Sequence, residues 1–129
     1  MIHLVQSIRV FVCTRPMDMR YSFDGLFGMA QHIMKQDPLS GHLFVFRNRK
    51  RDRLKILYWD RDGLAIWYKR LETGTFQFPT DLKLNATSSR DRLPTSAEIT
   101  TDELSLLLGG IDLRSVQRRK RYHLPKQPR

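Results

Sequence analysis

The sequence predicts an α+β fold: a four- to five-stranded antiparallel sheet with one helix packed on a face and a second short helix near the C-terminus. Two observations predict it. Runs of β-branched and aromatic residues at 8–13, 42–46, 54–59 and 64–70 each have the length of a strand and are bounded by turn formers. Between the first two lies an apolar stripe at helical spacing, made of Phe23, Leu26, Phe27, Ala30, Ile33 and Met34.

In chain order, "IRVFVC" (8–13) reads as a strand that stops before Pro16, whose missing N–H ends regular pairing. The following helix is expected over 22–36, with Ser22 as N-cap, Asp24 in the first turn where negative charge favours the dipole, and Pro38 closing it. Gly25 and Gly28 each lower helix propensity by about 1 kcal/mol relative to alanine, a cost that close approach to the sheet would offset. "DRDG" (60–63) marks a tight hairpin, with Gly63 expected at positive φ. Pairing Trp59 with Leu64 sets Leu57 opposite Ile66 and Lys55 opposite Tyr68, and both faces are then mostly apolar. A free-standing antiparallel sheet has one wet face, so the second must be covered.

"TFQFP" (75–79) is expected as a further edge strand, and 80–98 as a polar, loose connection. Thr100 and Glu103 fit a capping box at the head of a helix over 101–109, with Leu104, Leu107 and Leu108 on its apolar side. That helix is expected on an edge or on the opposite face. Residues 1–113 read as one domain and 114–129 as a basic flexible tail.

The charge is uneven. The 129 residues hold 23 Lys+Arg against 13 Asp+Glu, a net +10. The tail carries seven basic groups and no acid, so 1–113 carries +3, 16 minus 13. Such asymmetry points to nucleic acid or an acidic membrane surface. The N-terminal stretch lacks a basic leader and is interrupted by Arg9, so neither a signal peptide nor a membrane span is read there. Cys13 is the only cysteine, which rules out an intramolecular disulfide and fits a reducing, cytoplasmic setting.

Converging catalytic groups are not found. His3, His32, His42 and His123 have no metal-ligand spacing, and Cys13 lies mid-strand as a small buried thiol. "FDGLFG" lacks the Lys-Ser/Thr ending of a phosphate loop, and no carboxylates are spaced for a two-metal nuclease. Asp60 and Asp62 read as turn formers; a cation held by them is the remaining route to a nuclease. The expectation is a non-enzyme with no cofactor and no metal.

The basic segments stand out instead. Arg47, Arg49, Lys50, Arg51, Arg53 and Lys55 surround a single acid, Asp52. Lys69 and Arg70 join them, because the hairpin register sets Arg53 opposite Arg70, and like charges opposed across a ladder repel unless solvated or neutralised by an anion. With Arg118, Arg119, Lys120 and Arg121 of the tail, these are the expected contacts to DNA phosphates. No helix-turn-helix or zinc finger is present to read base edges. The other candidate surface is the second sheet face around Tyr58 and Trp67, for a protein partner or, if uncovered, a second copy of the chain.

"MDMRYSFDGL", "DPLSGHLFVFRNRKRDRLKILYWDRDGLAIWYKRLETGTFQFP" and "LSLLLGGIDL" resemble the small accessory protein, TnpB-type or second-reading-frame, of bacterial insertion sequences of the sixty-six class. The resemblance covers about 8–79 and 99–113. Ser22 stands where that family commonly has glycine. Its recurring positions fall here on Asp18, Met19, Arg20, Phe23, Asp24, Gly25 and Leu26, then Asp37, Pro38, Gly41, Phe44, Phe46, Arg47, Arg53, Lys55, Trp59, Asp60, Asp62, Gly63, Lys69 and Arg70. The resemblance implies a role in transposition, in a bacterial cytoplasm, beside a separate transposase that does the strand chemistry. DNA and that transposase are the implied partners. Asp18 and Arg20 are expected to pair with strand-end charges.

Overall fold

The computed structural model describes residues 7–81, 94–109, 111–112 and 117–118. Five strands, β1 (Val10–Cys13), β2 (Leu43–Arg47), β3 (Arg53–Asp60), β4 (Gly63–Arg70) and β5 (Ser96–Ile99), form one sheet in the order β4-β3-β2-β1-β5. The architecture is α+β as expected, with one departure: β1 and β2 run parallel, so the sheet is mixed. The cause is the helix between them, which carries the chain back so that both strands enter from the same end. The hairpin has the expected register, with Trp59 opposite Leu64, Leu57 opposite Ile66, Lys55 opposite Tyr68 and Arg53 opposite Arg70. Its positive φ falls on Arg61 (57°) rather than on Gly63.

Helix α1 begins as Phe23–Gly28 and continues as a π-helical turn over Met29–Ile33, in which the Met34 N–H donates to the Met29 carbonyl five residues back. Ser22 occupies the N-cap without a side-chain bond, and Lys35, at φ 59°, turns the chain out before Pro38 is reached. Leu26, Ala30 and Met34 pack on Phe11, Cys13, Phe44, Phe46 and Leu57 of the first sheet face. Phe23, expected in that stripe, is 43% exposed; burial starts one turn later, at Leu26.

The second face, with Val10, Val12, Val45, Leu54 and Ile56, is covered by the chain itself. Leu71, Phe76 and Phe78 lie across it, joined by Leu104 and Leu107 of helix α2 (Thr101–Gly109). "TFQFP" is therefore not an edge strand. It is an extended strap whose alternate residues, Phe76 and Phe78, both insert into the core, which is why its pattern reads as a strand. The cover lies over β1, β2 and β3, while Trp67 and Lys69 of β4 on the same face stay exposed. β5 begins inside the stretch expected as a loose connection (80–98) and ends one residue past it; residues 82–93 of that stretch are outside those described. Past α2, β6 (Ile111–Asp112) pairs with β7 (Gln117–Arg118), so the backbone at 117–118 of the tail takes part in a short ladder.

The capping box forms as expected: the Glu103 N–H donates to Thr100 Oγ1 at 3.0 Å, and the Thr100 N–H donates to Glu103 Oε1 at 2.9 Å. Replacing Thr100 with alanine is expected to cost about 1 kcal/mol and to lower the thermal midpoint by a few degrees, as read by circular dichroism.

Candidate nucleic-acid interface

The basic turn runs from Asn48 to Asp52 between β2 and β3, and Asn48 organises it. Its Oδ1 accepts the Arg53 N–H at 2.9 Å, and its Nδ2 donates to Asp52 Oδ1 at 2.6 Å. Arg51 takes a left-handed φ of 64° to make the bend. Successive strand residues point to opposite faces, so the clustered cations are dealt to different places.

Arg47 turns into the second face and is 6% exposed. Its guanidinium donates to both Asp81 oxygens at 2.8 and 2.9 Å and to the Phe76 carbonyl at 2.9 Å, and it lies 3.9 Å from the centre of the Phe78 ring. Arg51 stands 3.5 Å from the same carboxylate, which also accepts the Phe78 N–H. Burial pushes the Asp81 carboxyl up, but the hydrogen bonds and charge of Arg47, followed by the Phe78 N–H and Arg51, outweigh it and hold it below the usual carboxylate range. Lys55 is buried on the first face. Its Nζ donates to the Met19 and Tyr21 carbonyls at 2.7 and 2.8 Å and lies 4.8 Å from the Tyr68 ring centre. The charges of Arg47 and Lys55 are thus satisfied inside the protein, and both residues hold the fold together.

The other basic positions of the turn and of β4 are exposed or half-exposed. Lys69, opposite Leu54, leaves the sheet on the Arg47 side, while Arg70 pairs with Glu72 at 3.0 Å. Arg49 and Lys50 are exposed at the turn without an ion-pair partner among the described residues, and Arg53 donates to the Tyr68 hydroxyl at 3.3 Å. Arg118 lies in β7, and Arg119, Lys120 and Arg121 fall outside the described residues.

Arg49, Lys50 and Arg53 meet at a cleft of about 760 Å³ between the turn and the segment Pro16–Tyr21. Arg20 adds a fourth cation on the lining, against two carboxylates, Asp18 and Asp52. Both carboxylates are engaged. Asp18 pairs with Arg20 at 2.7 Å rather than with a strand-end charge; Arg20's hydrogen bonds hold its carboxyl below the ordinary range, and Asp52 accepts from Asn48. The segment is pinned to the sheet by Lys55 and by the Met17 N–H, which donates to the Arg47 carbonyl at 2.9 Å.

Two tyrosines line the same cleft, Tyr21 at 51% and Tyr68 at 46% exposure. The Tyr21 ring rests on Gly25: a Cβ there would fall 2.7 Å from Tyr21 Cδ1. This contact, and not approach to the sheet, explains a glycine in the first helical turn; around Gly28 a Cβ would meet nothing within 4 Å. Sequence reasoning passed over Arg20 and both tyrosines as cleft groups. The register that set Tyr68 opposite Lys55 held the signal for one of them.

Of the partner surface expected around Tyr58 and Trp67, Tyr58 is half-buried against the covered core. Trp67 is 38% exposed on β4, which is an edge strand of this sheet. Asp60 and Asp62 sit at the hairpin tip, where the Asp62 N–H donates to the Asp60 carbonyl at 2.6 Å. Among the described residues, no group of three or more His, Cys, Asp or Glu is placed to hold a metal ion, and no helix is long and apolar enough to cross a membrane.

Residues 8–118 match the family described as IS66 Orf2 like protein. The chain belongs to this family. Its membership makes the chain an accessory protein of insertion sequences, and the match runs through the connection at 80–98 as well as the two segments that carried the resemblance. Among curated relatives, the uncharacterized protein y4jC of Sinorhizobium fredii (strain NBRC 101917 / NGR234) is 34% identical over 114 residues, 88% of each chain. The uncharacterized protein y4hO of the same strain is 37% identical over 117 residues, 87% of this chain and 88% of its own. No solved structure matches.

Proposed function

We propose that this IS66 Orf2-like protein is a non-catalytic accessory factor of transposition that binds DNA electrostatically, beside a transposase that supplies the strand chemistry. The observation that carries the reading is the sorting of charge at the basic turn. Arg47 and Arg51 face an internal carboxylate and Lys55 faces carbonyls, while Arg49, Lys50 and Arg53 stand together at an open cleft whose two acids are already engaged. Arg70, opposite Arg53, is held by Glu72 and Lys69 leaves the sheet on the other face, so both stand outside this cluster, and Arg118, Arg119, Lys120 and Arg121 give the chain a second contact. Cations that neutralise phosphates release counterions, so affinity falls steeply with salt.

The test is a titration of fluorescently labelled DNA at several salt concentrations. A linear fall of log K with log salt is expected. Binding indifferent to ionic strength, or none in dilute buffer, contradicts the proposal.

A second reading, an adaptor that docks on the transposase, has one specific support: Trp67 exposed on the edge strand β4, whose outer backbone groups are suited to pairing with another chain. Trp67→Glu should then abolish co-purification with the transposase of the same element while leaving DNA affinity intact. Undiminished co-purification removes that reading.

A further inference from the structure

The cleft has a shape that the charge pattern alone does not explain. Sequence-independent contact with duplex DNA needs only a rim of cations, since the phosphates lie on the outside of the double helix. Here the cations surround a concavity of about 760 Å³, the size of a pocket for one small ligand. Its two aromatic side chains are both half exposed.

Both rings are held in place. Tyr21 lies on the bare backbone of Gly25, in space that any other side chain would fill. Tyr68 has Lys55 Nζ 4.8 Å from its ring centre and its hydroxyl bonded to Arg53 at 3.3 Å. Lys55 also holds the Tyr21 carbonyl, so a single buried cation ties both aromatic residues to one scaffold. Two tyrosines kept open and braced beside Arg49 and Lys50, which have no ion-pair partner among the described residues, suit a ligand with flat π-faces and a polyanionic backbone. That is an unpaired nucleic-acid strand.

We infer that the cleft takes unpaired nucleotides of single-stranded DNA, with Tyr21 and Tyr68 stacking on bases and Arg49, Lys50 and Arg53 holding the adjoining phosphates. This rests on the DNA-binding reading above and makes it specific. The protein prefers strand that has already been opened, such as DNA exposed when element ends are separated, over intact duplex.

The experiment compares fluorescence anisotropy of a labelled thymidine 20-mer with that of a labelled 20-base-pair duplex, at matched salt, for the full chain and four variants. The wild type is expected to bind the single strand at least tenfold more tightly. Tyr21→Leu and Tyr68→Leu should each weaken single-strand binding by roughly fivefold to a hundredfold, far more than they weaken duplex binding. Tyr68→Phe, which keeps the ring and loses the hydroxyl, should stay within about twofold of wild type, a rescue that a merely structural tyrosine hydroxyl would not allow. Gly25→Ala, which displaces the Tyr21 ring, should follow Tyr21→Leu; circular dichroism melts confirm that each variant is folded. Equal affinity for both DNAs, with the leucine variants unaffected, overturns the stacking inference and leaves electrostatic DNA binding standing. Failure to bind either DNA overturns both.

Discussion

Asp81→Ala is expected to destabilise the protein by about 3–5 kcal/mol, because it leaves the Arg47 guanidinium buried without its counter-charge. It also removes the acceptor for the Phe78 N–H. The loss is a large part of the roughly 5–15 kcal/mol that holds a typical domain folded, so chemical denaturation should show a much lower midpoint or an unfolded chain at 37 °C. Replacing both partners, Arg47→Met with Asp81→Leu, should cost far less than Asp81→Ala, since the strap over Phe76 and Phe78 then packs on apolar groups. A single variant as stable as wild type contradicts the account of Arg47. The pH dependence has a definite sign. The folded carboxyl of Asp81 lies below its ordinary value of 3.8, so its contribution is fully present above that pH and is lost as pH falls through the lower folded value. Acid denaturation of wild type should therefore carry a component that the double variant lacks.

The second large effect is on binding. Joint replacement of Arg49, Lys50 and Arg53 by alanine removes three phosphate contacts, which should reduce the salt slope on duplex DNA by about 2.7, at roughly 0.9 per contact. Near 0.1 M salt this corresponds to an affinity loss on the order of a hundredfold or more. These side chains stand at the cleft and not in the core, so the melting midpoint should move by only a few degrees. The matched control is the Arg47→Met, Asp81→Leu variant, which removes an arginine of the same segment but one already engaged within the protein. Its slope should equal that of wild type. The control leaves net charge unchanged, so equal losses in the two variants would mean that the packing of the segment, and not the cations at the cleft, governs binding.

The hairpin was legible down to its register because both of its determinants are local: alternation at period two, and a turn of fixed length. The capping box was legible for the same reason. What escaped depends on distant partners. The parallel pairing of β1 with β2 follows from where the intervening helix returns the chain, which no single segment encodes. β5 hides in a polar stretch because only Ile99 of its four residues is buried, and the Phe76–Phe78 strap imitates a strand because two alternating rings enter one core. The site divides similarly. Local sequence shows that positive charge is concentrated at 47–55, but which cations remain open to a ligand turns on Asp81, 34 residues beyond Arg47, and on two carbonyls at Met19 and Tyr21. Tyr21 entered the cleft through Gly25, whose absent side chain first reads as a helix defect.

The central claim is that the cleft beside the basic turn is the surface that meets DNA. Its most direct measurement is a titration of isotopically labelled protein with a thymidine 20-mer, followed residue by residue through backbone amide NMR shifts. The account predicts the largest changes at Tyr21, Arg49, Lys50, Arg53 and Tyr68, with the amides of β1, β5 and α2 nearly still. Changes centred on Trp67 or on α2, with the turn unperturbed, would contradict it.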